Sequence, residues 1–354
     1  MNADKINTYM GKKITLVLGN GFTIDFINFL KVKNPSIKDS INVSNLFSDG
    51  DKLCWPLDGR PGFLSFKHCP NLWGIGARSF LNSSQTLEIL ERVVTCANVY
   101  SLKRTEALDE DTGNGFLHAY KELVTYLKYL FIHYDKIIDN IPGDISDWPW
   151  AKFIQQLNSD PNVEEVLIIS YNYDIWLERI LEKLGIAFEI PLLVNSGDAK
   201  VKIFKPHGSI SYQHKKALPR DSFSMNYKSF FVDCPLSDIS VVYQDLDQHT
   251  PVNFIIPPAG ESGRSSNTWA QSIRQECISR LKAYGSDDIA VLCGISYWHV
   301  DRAEIDSLLN AMNADMDVVH LNPHPSSTLD AVLNSLFKRY THLSSSSLLE
   351  AYPI

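Results

Sequence analysis

The sequence predicts an α/β fold: a mostly parallel sheet with helices on both faces, interrupted by a helical insert. Three observations carry this. Short, continuous apolar runs recur along the chain, and each ends in a turn. Helix-period patterns fall between them. One long stretch, residues 41–147, breaks the alternation. Strands alternating with helices bring parallel strands together, and strands buried on both faces read as unbroken apolar runs.

Ile14 to Leu18 (ITLVL) is the first run, ending abruptly in Gly19-Asn20-Gly21. Val166 to Ser170 (VLIIS) leads into Tyr171-Asn172-Tyr173-Asp174. Val201 to Phe204, a weaker run, leads into Lys205-Pro206-His207-Gly208. Ile289 to Cys293 (IAVLC) leads into Gly294-Ile295-Ser296, and Val318 to Leu321 into Asn322-Pro323. Between them, Asp174 is placed to cap a helix that runs to Leu184 and stops at Gly185. Trp269, Ile273, Cys277, Ile278 and Leu281 share one helix face. Asp301 and Glu304 have capping-box spacing at the start of a helix reaching Met312. Residues 41–147 begin with a stretch rich in Gly, Pro and Trp, followed by helical patterns over Gln85–Val99 and Phe116–Asn140. In the second of these, Phe116, Tyr120, Leu123, Leu127, Leu130 and Phe131 read as core. Residues 212–258 read as a connection with short strands. The whole, 1–354, reads as one domain carrying an insert.

Composition narrows the function classes. The chain of 354 residues has a formal net charge of -8 and 44% hydrophobic residues, an ordinary globular balance. A surface of that sign repels nucleic-acid phosphates, and no dense basic run offsets it, so direct nucleic-acid binding is not expected. No apolar run reaches the roughly 18 residues that cross a bilayer, so no membrane span is expected. Among Cys54, Cys69, Cys96, Cys234, Cys277 and Cys293 no pair has C-x-x-C spacing, which predicts no structural zinc. The polar start of the chain lacks a signal-peptide core, and with the scattered cysteines it predicts a reducing, cytoplasmic setting.

The chemistry-bearing residues all follow strands. In a parallel sheet the strand ends lie along one edge, where ligands bind at a topological switch point, so residues far apart in sequence converge there. Glycines at 19 and 21 allow a sharp turn and close approach to a phosphate, with the next helix offering free N–H groups. An ordinary strand-to-helix turn would look the same. Asn172 can both donate to and accept from a ribose hydroxyl or a water. Asp174 suits a ribose contact or a helix cap. His207, set between Pro206 and Gly208, suits a general base near neutral pH. Its nearest rival is His299. Gly294, Ser296 and Asn322 stand where the adenosine half of a dinucleotide would lie, or where generic turn chemistry would.

Taken in order, Gly19-Asn20-Gly21-Phe22-Thr23, Tyr171-Asn172-Tyr173-Asp174, Pro206-His207-Gly208-Ser209 and Gly294-Ile295-Ser296 resemble the sirtuin family. They are closest to its divergent bacterial branch of anti-phage defence NAD hydrolases, whose Thr-Asn-Tyr-Asp-x-x-Leu-Glu element is nearly repeated from Asn172 to Glu178. Ile255 to Pro258 and residues 294–306 add to the likeness, which spans residues 13–45 and 150–325 and leaves the insert unexplained. The resemblance implies a Rossmann-like fold, NAD as substrate, no metal, and Asn172 with His207 as the catalytic pair. Gly19, Asn20, Gly21, Thr23, Asp25, Asp174, Gly294, Ser296 and Asn322 would then hold the dinucleotide, with Asp25 near a ribose or at a structural helix start. It further implies a regulated effector that self-associates or works with a helicase-type ATPase or an Argonaute. Asn20 stands where alanine is usual and Ser170 where threonine is common. The zinc cysteines of deacetylases are missing, which sets NAD hydrolysis ahead of lysine deacylation. A non-catalytic nucleotide sensor remains the other reading.

Overall fold

The computed structural model describes residues 11–37, 40–103, 115–138, 144–194, 197–225, 233–257, 267–297, 302–324 and 327–352. Its strands are β1 Lys12–Leu18, β2 Val163–Ser170, β3 Phe188–Glu189, β4 Val201–Phe204, β5 Tyr212–His214, β6 Ile239–Val241, β7 Ile289–Cys293, β8 Asp317–Leu321 and β9 Arg339–Leu343. Its helices are α1 Asn20–Lys33, α2 Pro70–Ile75, α3 Ser83–Lys103, α4 Gly115–Ile137, α5 Pro149–Ser159, α6 Trp176–Lys183, α7 Thr268–Lys282, α8 Arg302–Ala311 and α9 Ser327–Leu336.

Seven strands form one sheet in the order β3-β4-β2-β1-β7-β8-β9, and every neighbouring pair is parallel. Without the two-residue edge strand β3, the strands in chain order lie third, second, first, fourth, fifth, sixth. This is the Rossmann order, with its switch point between β1 and β7. The fold is therefore Rossmann-like α/β, as the sequence predicts. All five apolar runs are strands of this sheet, and β1, β2 and β7 owe their near-complete burial to covering on both faces. A separate antiparallel hairpin, β5 with β6, lies in the irregular connection.

The register lines up the strand ends. Leu18 pairs with Ser170 on one side and Cys293 on the other, and Cys293 pairs in turn with Leu321. The residues that follow these four positions thus start from one level of the sheet edge.

Both helices expected in the insert are present, as α3 and α4. Helix α4 is fixed to α2 by the fully buried Glu122, which accepts from the backbone N–H groups of Asn71 and Leu72 at 3.2 and 2.7 Å. Those are orphan donors of the first turn of α2, so the carboxylate acts as a cap from a neighbouring helix. Arg179 on α6 donates to Asp135 on α4 at 2.6 Å, tying the insert to the sheet domain. Phe131 meets the ring of Tyr173 edge-on at 5.4 Å. One hydrophobic cluster accordingly runs from the sheet through the insert.

Two expectations are refined by the structure. The helix after β2 begins at Trp176. Asp174 sits just outside it, and its Oδ1 accepts the Trp176 N–H at 3.2 Å. The Glu304 carboxylate lies beside His207 and Arg274; the expected capping box with Asp301 falls outside the described residues. His299 lies outside them as well. Phe131 is buried as core, but it also forms part of a cavity wall.

Candidate functional site

A cavity of about 560 Å³ opens at the switch point. That lies within the ~300–1,000 Å³ usual for small-molecule sites. Its floor is the strand-end row: Gly19 and Asn20 after β1, Tyr171 to Asp174 after β2, His207 after β4, and Gly294 to Ser296 after β7. Its roof is the insert, through Val43, Ser44, Leu46, Ser83, Ser84, Thr86, Leu87, Leu90 and Phe131. The sequence left the insert open between an interface, a lid and a packing subdomain, and its residues line this cavity.

The glycines act mainly on each other. A methyl group added at Gly21 would lie 2.4 Å from the Gly294 Cα, and one added at Gly19 would lie 2.5 Å from the Gly294 carbonyl oxygen. Gly294 itself has a φ of +60°, a conformation that favours glycine. The two loops at the switch point therefore touch backbone to backbone. Gly19 and Gly294 line the cavity, whereas Gly21 is spent on this contact.

Asn172 is buried, and its orientation follows from its neighbours. Its Nδ2 donates to the Gly19 carbonyl at 2.9 Å and to Thr23 Oγ1 at 3.0 Å. A backbone carbonyl only accepts, so the amide nitrogen must face it. The carboxamide oxygen is left over, and among the described residues no donor occupies it. Thr23 passes the chain on, donating to Asp174 Oδ2 at 2.8 Å. It is thus a link that holds Asn172 and Asp174 rather than a cavity wall. Burial raises the Asp174 carboxyl above the ordinary aspartate range, while Lys205, Thr23 and the Trp176 N–H oppose the rise.

His207 is buried against the edge of Tyr171, the ring centres 4.9 Å apart. Its Nε2 lies 3.2 Å from Glu304 Oε2, and Arg274 Nε lies 3.1 Å from the other oxygen of that carboxylate. An ionised carboxylate only accepts, so the ring nitrogen facing it is the donor. The lone pair then resides on Nδ1. This arrangement has the form of a base oriented by a third group.

Behind the strand ends sits a buried cation. Lys205 Nζ lies 2.6 Å from Glu178 on α6, and both side chains are fully buried. The same ammonium donates to the Asp174 carbonyl and, at 3.2 Å, to Ser209 Oγ. One charge thus fastens the loop carrying Asn172 to the loop carrying His207. Gly208, with a φ of +84°, lets the second loop press on the Phe254 carbonyl, where a methyl group would sit 1.9 Å away.

Of the residues singled out from sequence, Gly19, Asn20, Asn172, Asp174, His207, Gly294 and Ser296 come together in the cavity. Asn20 also donates to the Val43 carbonyl at 3.2 Å, stitching the first loop to the insert. Asp25 does not join them. It accepts from Trp148 Nε1 at 2.9 Å and from Ser346 Oγ at 3.2 Å, and burial raises its carboxyl against those two bonds. Asp25 thus ties α1 to Trp148 and Ser346, neither capping the helix start nor lining the cavity. Asn322 also stays apart, its backbone N–H bonded to Leu343 and its carbonyl facing His342 Nε2 at 3.0 Å. Glu304, Arg274, Tyr171 and Lys205 were not singled out. Tyr171 and Lys205 stood in the motifs after β2 and β4, and Glu304 at capping spacing, but none was read as a site residue. No family model matches the chain, and no curated protein does.

Proposed function

We propose that the protein is an NAD glycohydrolase, which cleaves the bond between nicotinamide and ribose and releases nicotinamide, ADP-ribose and a proton. The observation that carries this reading is the convergence of Asn172 and His207, 35 positions apart in sequence, on one cavity at the switch point of a Rossmann-ordered sheet. Dinucleotides bind at such crevices.

NAD carries a positive charge on its nicotinamide ring, and departure as a neutral base cancels it. The ribose left behind passes through an oxocarbenium-like state, as in glycoside cleavage generally. The free carboxamide oxygen of Asn172 orients a ribose hydroxyl or the attacking water. His207 takes the proton of that water, directly or through a ribose hydroxyl, and Glu304 stabilises the imidazolium that forms. Among the described residues no lysine or arginine lines the cavity. The Gly21 and Phe22 N–H groups are donated to the Gly294 and Gly19 carbonyls, so the pyrophosphate has the Asn20 N–H and the hydroxyls of Ser44, Ser83, Ser84 and Ser296 to bind to. No step draws on a metal.

Uncontrolled loss of NAD harms its host, so regulation belongs to the same reading. It would come through self-association or through a partner such as a helicase-type ATPase or an Argonaute, in a cytoplasmic defence response. The test is chromatography of NAD incubated with the protein, alone and with its genomic neighbour. Nicotinamide and ADP-ribose should appear with the intact chain and not with His207→Ala or Asn172→Ala of unchanged melting temperature. Full activity in His207→Ala would remove it as the base. Binding of NAD without turnover in either condition would favour a sensor.

A further inference from the structure

A second cavity, of about 160 Å³, lies between α4 and the segments around His249 to Ile255 and Asn267 to Trp269. It shares no lining residue with the first. Its size exceeds several water molecules and falls short of the ~300–1,000 Å³ of a typical organic-ligand site. One of its lining residues is Lys128, 4% exposed. An ammonium has three donor positions and is almost never fully buried unless paired. Among the described residues Lys128 makes one hydrogen bond, to the Gln248 carbonyl at 3.3 Å. The carboxylate whose charge acts on it, Asp247, is engaged by Lys136 at 3.1 Å.

The rest of the wall has the matching chemistry. Lys121 is a second cation in the lining. Thr125, Asn253 and Asn267 bring neutral hydrogen-bonding groups, and Asn253 is braced by its Nδ2 donating to Thr125 Oγ1 at 3.2 Å. No aspartate or glutamate is among the described lining residues. The Thr125 hydroxyl spends its proton on the Lys121 carbonyl at 2.9 Å, but two cations, side-chain amides and no carboxylate favour an anion with several acceptor atoms.

We propose that this cavity is a binding site for a phosphate-sized oxyanion, free or as the terminal group of a small phosphorylated metabolite, with Lys128 as its buried counter-charge. An anion there completes the donor positions of Lys128 and offsets the cost of burying its charge. Burial, partly offset by the Asp247 charge, lowers the lysine to about 8, and an anion beside it would favour its charged form.

The test is calorimetric titration of the full chain, in chloride buffer, with inorganic phosphate and separately with ribose 5-phosphate. Phosphate should bind saturably. Lys128→Met, which keeps the stem and removes the charge, should weaken binding roughly 10- to 100-fold, the range of a charge-assisted hydrogen bond. Asn253→Ala should weaken it about fivefold, and decides the matter if Lys128→Met fails to fold. Ribose 5-phosphate binding more tightly than phosphate would assign the anion to a metabolite, and equal or weaker binding would assign it to the free ion. Binding of neither, or binding that both variants leave unchanged, overturns the proposal.

Discussion

The contact between Glu304 and His207 gives the sharpest test of the proposed chemistry. Glu304→Gln keeps the size of the side chain and an oxygen able to accept from Nε2, but it removes the charge. Two unit charges 3.2 Å apart attract by roughly 5 kcal/mol at an effective dielectric constant near 20. That is a ceiling here, because Arg274 lies 3.1 Å from the same carboxylate and takes up part of its field. The excess of a charge-assisted over a neutral hydrogen bond sets the floor, about 1 kcal/mol. Between these, a loss of about 1–3 kcal/mol is expected. It falls on the step in which His207 becomes positively charged, so it appears in kcat as a drop of about 5- to 150-fold. KM for NAD should hardly move, since Glu304 touches the base and not the substrate. Steady-state assay of nicotinamide release, with thermal melting to confirm the fold, reads all of this. A Glu304→Gln enzyme with kcat within twofold of the parent, beside an inactive His207→Ala, would refute the role of the carboxylate. A rise in KM with unchanged kcat would move Glu304 to substrate binding.

Further outcomes follow from the packing around the site. Gly21→Ala places a methyl group 2.4 Å from backbone that no rotamer can clear, and should cost about 1–3 kcal/mol in urea unfolding while weakening nucleotide binding; unchanged stability would mean that the two loops are not in contact. Lys205→Met leaves Glu178 charged and buried with no partner, and should cost about 3–5 kcal/mol, most of it recovered in the double variant with Glu178→Leu. A double variant no more stable than the single one would refute that account. Burial lowers Lys128 to about 8 from its ordinary 10.5, so between those values the unfolded chain holds a proton that the folded chain has released. Stability should then rise with pH across that window, by up to about 3 kcal/mol, in the parent but not in Lys128→Met. Parallel stability profiles of the two proteins would remove the buried charge from the account.

What could be read from the sequence depended on whether the signal was local. Runs such as ITLVL and VLIIS announce buried parallel strands because both of their faces are covered, which keeps charged residues out of every position. Strand β9 gives no such signal. It closes the edge of the sheet, Arg339 and Thr341 face outward, and its run RYTHL reads as neither strand nor helix. The same division holds for the site. Asn172 and His207 follow strands, and parallel strands deliver their following residues to one edge whatever the distance in sequence, so topology alone brings them together. Glu304, Arg274 and the roof of the cavity do not come from strand ends. Glu304 has the spacing of a capping residue, and only the packing of α8 beside α7 and the His207 loop turns it toward the ring. Asp25 is the reverse case. Its place after the glycine loop suggested a ribose contact, but the 3.6-residue turn of α1 carries it round to Trp148. The insert was legible as two helices and silent as a wall, because a helix pattern shows which face is apolar and not what that face covers. For Phe131 the two roles coincide: the side chain that fastens α4 to Tyr173 is also the surface a ligand beside Asn172 would meet. A substitution there should therefore disturb stability and binding together, whereas one at Leu87, on the roof and 40% exposed, should change binding alone.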